Sequence, residues 1–174
     1  DLVRKAVQIP ACHTLVLLVG HSPEPLLQAI SVFQPQRLVL ILSEDYGEEN
    51  GQCYGDQLAD FVRLYLAPLL PHPPLQIEPF AISDQPATIF GALCAHVLED
   101  RRQALPVIVD ITGGKKSMVA GAFMFAVYAD IPISYVDFDA YSGSARRPRG
   151  YLCRIGMLTN PYDAFRLRQW EQVQ

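Results

Sequence analysis

Within one short stretch, Val107-Ile-Val-Asp-Ile-Thr-Gly-Gly-Lys-Lys-Ser-Met118, the chain is obliged to pass from strand to turn to helix. The run up to Asp110 is short, apolar and β-branched, as a buried strand requires. Gly113-Gly114 demands a tight turn. From Ser117 the sequence is apolar at nearly every position as far as Ala129, the composition of a buried helix. This order gathers backbone N–H groups, a helix N-terminus and the ammonium groups of Lys115 and Lys116 around one point, the usual arrangement for holding phosphate. Only three of the fourteen basic residues are lysines, and two of them stand here. The pair is a feature of the turn and not of the composition.

The rest of the chain repeats the alternation. His13–Gly20 and Arg37–Leu42 are near-continuous apolar runs, the mark of parallel strands covered on both faces. Pro25–Gln34 and Tyr54–Leu70 carry helical spacing between them and after them. Leu75–Ile82 is a further strand, and Pro79 points to an edge position or an irregular end. Asp84 is expected to cap a helix running to about Arg102, with Pro86 in its first turn. Pro106–Thr112, the helix Lys116–Ala129 and the strand Pro132–Phe138 complete the core. The segment 139–150 is turn-rich and basic, Tyr151–Leu158 reads as one more strand, and a short helix is expected around Ala164–Glu171. The fold class is α/β: a Rossmann-like, doubly wound, mostly parallel sheet with right-handed crossovers and a C-terminal β/turn extension. With 174 residues the chain is long enough for one domain with a real core.

Composition narrows the function. A net charge of −4 argues against broad capture of DNA or RNA, so a nucleotide ligand has to be held locally. Cys12, Cys53, Cys94 and Cys153 form no C-x-x-C pair, and the histidines are equally scattered, so no metal site or disulfide framework is expected. There is no signal peptide and no apolar run of about 20 residues, the length a membrane span needs. The chain begins at Asp1 and not at Met, so a membrane segment or a second domain is expected to lie outside it.

In an open α/β sheet, ligands bind beyond the carboxyl ends of the strands. The segments expected on that rim are Gly20-His21-Ser22, Ser43-Glu44, Ile82-Ser83 and Thr112–Ser117, all rich in small or hydroxyl residues. Common nucleotide motifs are missing. A P-loop, G-x-x-x-x-G-K-S/T, would need glycine at Val109 and a hydroxyl residue after Lys115. A G-x-G-x-x-G fingerprint does not follow the first strand.

Asp110-x-Thr112-Gly113-Gly114-x-Lys116-x-Met118, entering an apolar helix, resembles the signature of CARF domains, the CRISPR-associated Rossmann-fold sensors of cyclic oligoadenylates. Gly20-His21-Ser22-Pro23-Glu24-Pro25-Leu26 and Asn160-Pro161-Tyr162 agree with it, and the similarity covers roughly residues 13–165. The resemblance implies a homodimer with cyclic tetra-adenylate, or cyclic hexa-adenylate, lying across its twofold axis, and no further cofactor. It implies that Thr112, Gly113, Gly114, Lys116 and Ser117 contact ribose and phosphate, with Lys115 adding charge. His21 and Ser22 would meet the ligand from the first-strand loop, and Gly20, Ser43 and Glu44 complete the expected rim. The implied setting is a cytoplasmic sensory domain of a type III CRISPR effector. Duplex nucleic acid is not an expected partner, and any attachment to the inner face of the membrane would run through a segment outside this chain.

Other readings stay open at this point. Some CARF domains cleave their own ligand, and Lys115, Lys116 and His21 are the groups available for ring cleavage. An enzyme acting on a mononucleotide or a phosphorylated metabolite would use the same turn. An RNase of the HEPN type needs R-x(4–6)-H, which is absent from the chain. The acidic residues Glu44, Asp45, Glu48 and Glu49 read as a solvated loop, and Arg146, Arg147 and Arg149 as a basic loop.

Overall fold

The computed structural model describes residues 9–45, 48–49, 52–71, 74–138, 141–142, 147–148, 153–158 and 160. Strands β1 (Thr14–Leu18), β2 (Arg37–Ser43), β5 (Gln76–Ile82), β6 (Val107–Asp110), β7 (Ile133–Phe138) and β10 (Cys153–Leu158) form one six-stranded sheet in the order β10-β7-β6-β1-β2-β5. Every neighbouring pair is parallel except β7 with β10. Two short antiparallel ribbons, β3 (Glu48–Glu49) with β4 (Gln52–Cys53) and β8 (Tyr141–Ser142) with β9 (Arg147–Pro148), stand apart from it.

Helices cover both faces, so the sheet is doubly wound. On one face, α1 (Glu24–Phe33) and α2 (Tyr54–Phe61) bury Leu26, Phe33 and Leu58 against Leu15, Leu17 and Leu40. On the other, α3 (Pro86–His96) and α5 (Lys116–Ala129) bury Ile89, Leu93 and Phe125 against Val16, Leu18 and Ile41. Every residue of β1 is buried. That explains why its sequence is apolar from Leu15 to Leu18 without a break, where a strand with one wet face would alternate. Each such side chain contributes about 1.5–3 kcal/mol through burial.

Several boundaries differ from the sequence reading for local reasons. The helix begun at Tyr54 stays α-helical only to Phe61. It continues as a π turn, Val62–Leu66, and a 3₁₀ turn, Ala67–Leu69. Pro68 lacks the N–H that an α-helix would send back to Leu64, and its ring crowds that carbonyl. The helix expected up to Arg102 is interrupted at Val97 and resumes as α4 (Leu98–Arg102). Asp84 does not cap it. Gln85 holds the N-cap position with no side-chain bond, and the Asp84 carboxylate is bonded to Lys115 instead. Pro79 does sit on the edge strand, where a missing ladder donor costs least. The helix expected at 164–171, the residues Pro161 and Tyr162, and Arg146 and Arg149 lie outside the described residues. Cys12 and Cys94 are free thiols, and burial pushes the Cys12 thiol up to about 12.

At the end of the sheet where the strands begin, Arg37 locks the layers together. Its guanidinium donates to both carboxylate oxygens of Glu78 at 2.9 and 2.8 Å, to Asp100 at 2.7 Å and to the His96 carbonyl at 3.0 Å. The Thr14 hydroxyl donates to the same Asp100 carboxylate at 2.6 Å. One side chain thus ties β2 to β5 and to the junction of α3 with α4.

Candidate functional site

The chain runs from β1 outward to β2 and β5, then returns to the other side of β1 for β6 and β7. Strand order therefore reverses at β1/β6, and the loops leaving these two strands diverge around a crevice. The Gly20-His21-Ser22 segment and the glycine–lysine turn both emerge there.

The turn is built by its first two polar residues. The Asp110 carboxylate is buried and accepts the Thr112 N–H at 2.9 Å, an Asx-type bond that bends the chain. It also accepts the Ser134 hydroxyl at 2.8 Å. Burial pushes the Asp110 carboxyl above the usual carboxylate range, against the pull of these bonds. The Thr112 hydroxyl accepts the Val136 N–H of β7 at 2.6 Å. Asp110 and Thr112 thus anchor the turn to its neighbouring strand.

Both glycines are sterically required. A Cβ on Gly113 would lie 2.0 Å from the Leu18 carbonyl oxygen, and Gly114 has φ +78°, a left-handed conformation that side chains disfavour. The close approach continues at Gly20, whose Cβ position is 3.1 Å from the Gly114 nitrogen. The first-strand loop and the turn are therefore in direct backbone contact. The Lys115 N–H points to the Met118 sulfur at 3.4 Å, which gives the methionine of the motif a role at the start of α5. The first-turn N–H groups of α5 have no intrahelical acceptors, and the helix dipole adds about half a positive charge there.

The two lysines differ. The Lys115 ammonium is bonded to Asp45, from the loop after β2, and to Asp84 at 2.8 Å, from the loop after β5. These carboxylates push its pKa above the ordinary lysine range, and the Lys115 bond holds Asp45 below the carboxylate range. Lys116 is exposed and has no ion-pair partner among the described residues. His21 and Glu44 are exposed, and Ser22 and Ser117 are half-buried. Ser43 sits behind the rim: it is buried, and its hydroxyl accepts the Asp45 N–H at 3.3 Å. Among the described residues no cluster of His, Cys, Asp and Glu is placed to hold a metal ion. A hollow lined by Cys12, His13, Phe33 and Pro106 lies at the opposite end of the sheet, away from the motif.

No family model matches the chain. It is 33% identical over 72 residues to the CRISPR system endoribonuclease Csm6 of Thermus thermophilus, a match spanning 38% of this chain and 16% of that protein. Its fold superposes on Enterococcus italicus Csm6 bound to cyclic hexa-2'-fluoro-hexa-dAMP with a TM-score of 0.67 and 15% identity, over 92% of this chain and 46% of the other. It superposes on Can2 from Sulfobacillus thermosulfidooxidans, in complex with cyclic tetra-adenylate, with a TM-score of 0.54 and 24% identity, over 72% of this chain and 32% of that one. The chain folds as a CARF domain. It spans less than half the length of each of these relatives.

Within this fold, Gly20, Gly113, Gly114 and the start of α5, all named from the sequence, lie together at one rim. Sequence reasoning missed Asp45 and Asp84 as members of the site. One had been assigned to a solvated acidic run and the other to a helix cap. A usable signal was present: each acid follows closely on a strand whose end faces the same rim as the lysines.

Proposed function

We propose that this CARF domain binds a cyclic oligoadenylate, the cyclic tetramer in the first place, across the twofold axis of a homodimer, and passes the signal to an attached effector in a type III CRISPR response. The observation that carries the reading is the cradle itself. Gly113 and Gly114 bring backbone against the Gly20 loop at the strand-order reversal, while Lys116 and the α5 N-terminus supply positive charge at the same rim. Such a cradle takes a phosphate, and the bound rings in the Can2 and Csm6 structures support a ring of phosphodiesters as its source. A ring of even rotational symmetry presents identical groups to both protomers of an isologous dimer.

The outer face of α5 supports the dimer, because Met124 and Tyr128 stand 59% and 68% exposed on it. In this reading residues 1–174 form one sensing unit with its core at about 13–165, Thr112 and Ser117 lie next to ribose and phosphate, and the domain works in the cytoplasm. Among the described residues no helix is long and apolar enough to cross a membrane. Isothermal titration with cyclic tetra-adenylate, cyclic hexa-adenylate and ATP tests the reading. The expected result is one ring bound per two chains with ATP silent. ATP bound once per chain, with no heat from either ring, would overturn it in favour of a mononucleotide enzyme.

A further inference from the structure

The ion triad beside the turn has a consequence for which phosphates the cradle accepts. Lys115 meets two carboxylates, so one positive charge faces two negative ones, and the triad is negative by one unit. Adding Lys116 brings the four side chains only to neutrality. Among the described residues, what remains for a ligand at this turn is the Lys116 ammonium and the partial charge of the α5 N-terminus, about half a unit. A phosphodiester carries one negative charge. A terminal phosphate of a mono- or triphosphate carries about −1.5 to −2 at neutral pH.

We propose that Asp45 and Asp84 are specificity-determining residues: by occupying Lys115 they restrict the cradle to singly charged phosphodiesters and reject terminal phosphates. This rests on the cyclic oligoadenylate reading for the identity of the ligand. It accounts for a lysine-rich glycine turn that is not a triphosphate site. In a P-loop the lysine reaches the β- and γ-phosphates, whereas here the lysine beside the second glycine is already neutralised. The two acids do not contribute equally. The Asp84 side chain is 25% exposed and the Asp45 side chain 69%, so water screens Asp45 more strongly. Asp84 therefore carries most of the selectivity.

The test compares Asp45→Asn, Asp84→Asn and the double variant with the parent protein. Binding of cyclic tetra-adenylate, ATP and inorganic pyrophosphate is titrated for each at low and at physiological salt. A ring meets two cradles in the dimer, so its gain is taken per cradle, as half the change in log affinity. Removing two negative charges from each cradle is expected to raise pyrophosphate and ATP affinity roughly tenfold more than ring affinity per cradle, with the larger share from Asp84→Asn and a smaller gain at the higher salt. Equal gains per cradle for all three ligands, or no gain for pyrophosphate, would overturn the proposal. If the ring binds and pyrophosphate gains nothing, the charge selectivity fails while the sensor reading stands. If pyrophosphate gains but no ring binds any variant, the sensor reading fails and the charge selectivity stands. Both substitutions keep side-chain shape, and the exposed Asp45→Asn provides the test on its own should Asp84→Asn alter folding.

Discussion

The two ends of the sheet each hold one cation between two carboxylates, and they use it differently. At the end where strands begin, Arg37 is 14% exposed and its planar fork engages Glu78 through two parallel bonds, with Asp100 at 16% exposure completing the set. At the end where strands finish, Lys115 is 38% exposed and meets Asp45 and Asp84 as a point charge. A guanidinium fork in a half-dry site fixes geometry, because each donor has one satisfied partner. An ammonium on a flexible stem at an open rim fixes little geometry, and its pairing is screened by water and salt. The same charges thus make a clamp at one end and a tunable field at the other.

The sharpest way to break this comparison is Arg37→Met. It leaves Glu78 and Asp100 without their cation, and a loss of about 2–4 kcal/mol in urea unfolding is expected. Ligand affinity at the far rim should hold. A midpoint unchanged from the parent would reduce the clamp to decoration. Next in size is Lys116→Ala, expected to cost about 1–3 kcal/mol of ring binding, the range for a charge-assisted bond, with unfolding unaffected. A salt series adds a second readout, since the slope of log affinity against log salt should fall by about one contact per protomer, about two per ring.

A pH series separates the ends further. Glu78 has its pKa lowered first by the Arg37 bond, so its stabilisation is complete above the ordinary glutamate range and is lost as pH falls through the depressed value. The Glu78→Gln variant should therefore lose less stability than the parent between pH 7 and acid pH. Asp110 works in the opposite sense: burial raises its pKa, so its protonation at acid pH relieves a cost and does not add one. An identical acid limb for parent and Glu78→Gln would contradict the assignment. The smallest effect is expected from Lys115→Met, which should leave the urea midpoint where it is, because exposed pairs contribute little. A shift as large as that of Arg37→Met would erase the distinction between clamp and field.

Much of the fold was legible because its signals are local. The near-continuous apolar runs of β1 and β2 announced strands covered on both faces, and of the two readings of Pro79, an edge or an irregular end, the edge is the one found. Gly113 and Gly114 announced a turn whose geometry only glycine tolerates, and the first-strand loop was rightly placed against it. Pro68 was readable as a helix breaker and was passed over inside an otherwise helical pattern. At the site, legibility was uneven. The sequence named Thr112 only for ligand contact, and its hydroxyl also has a structural task, accepting the Val136 N–H of β7. Ser43 was expected on the rim and is buried behind it. Asp84 looked like a cap because Asp before Pro86 suits a helix start, yet a neighbouring ammonium outbids a backbone N–H for a carboxylate.

Period and composition, acting over a few residues, determined that this chain alternates buried strands with helices and carries a phosphate-type turn at Gly113–Lys116. Which charges surround that turn was decided by tertiary structure alone. Asp45 and Asp84 stand 70 and 31 residues from Lys115 along the chain. They meet it because the strand order β6-β1-β2-β5 brings three loops to one rim. Strand order is set by how whole strands and helices bury their apolar faces, and no local pattern in the sequence encodes it.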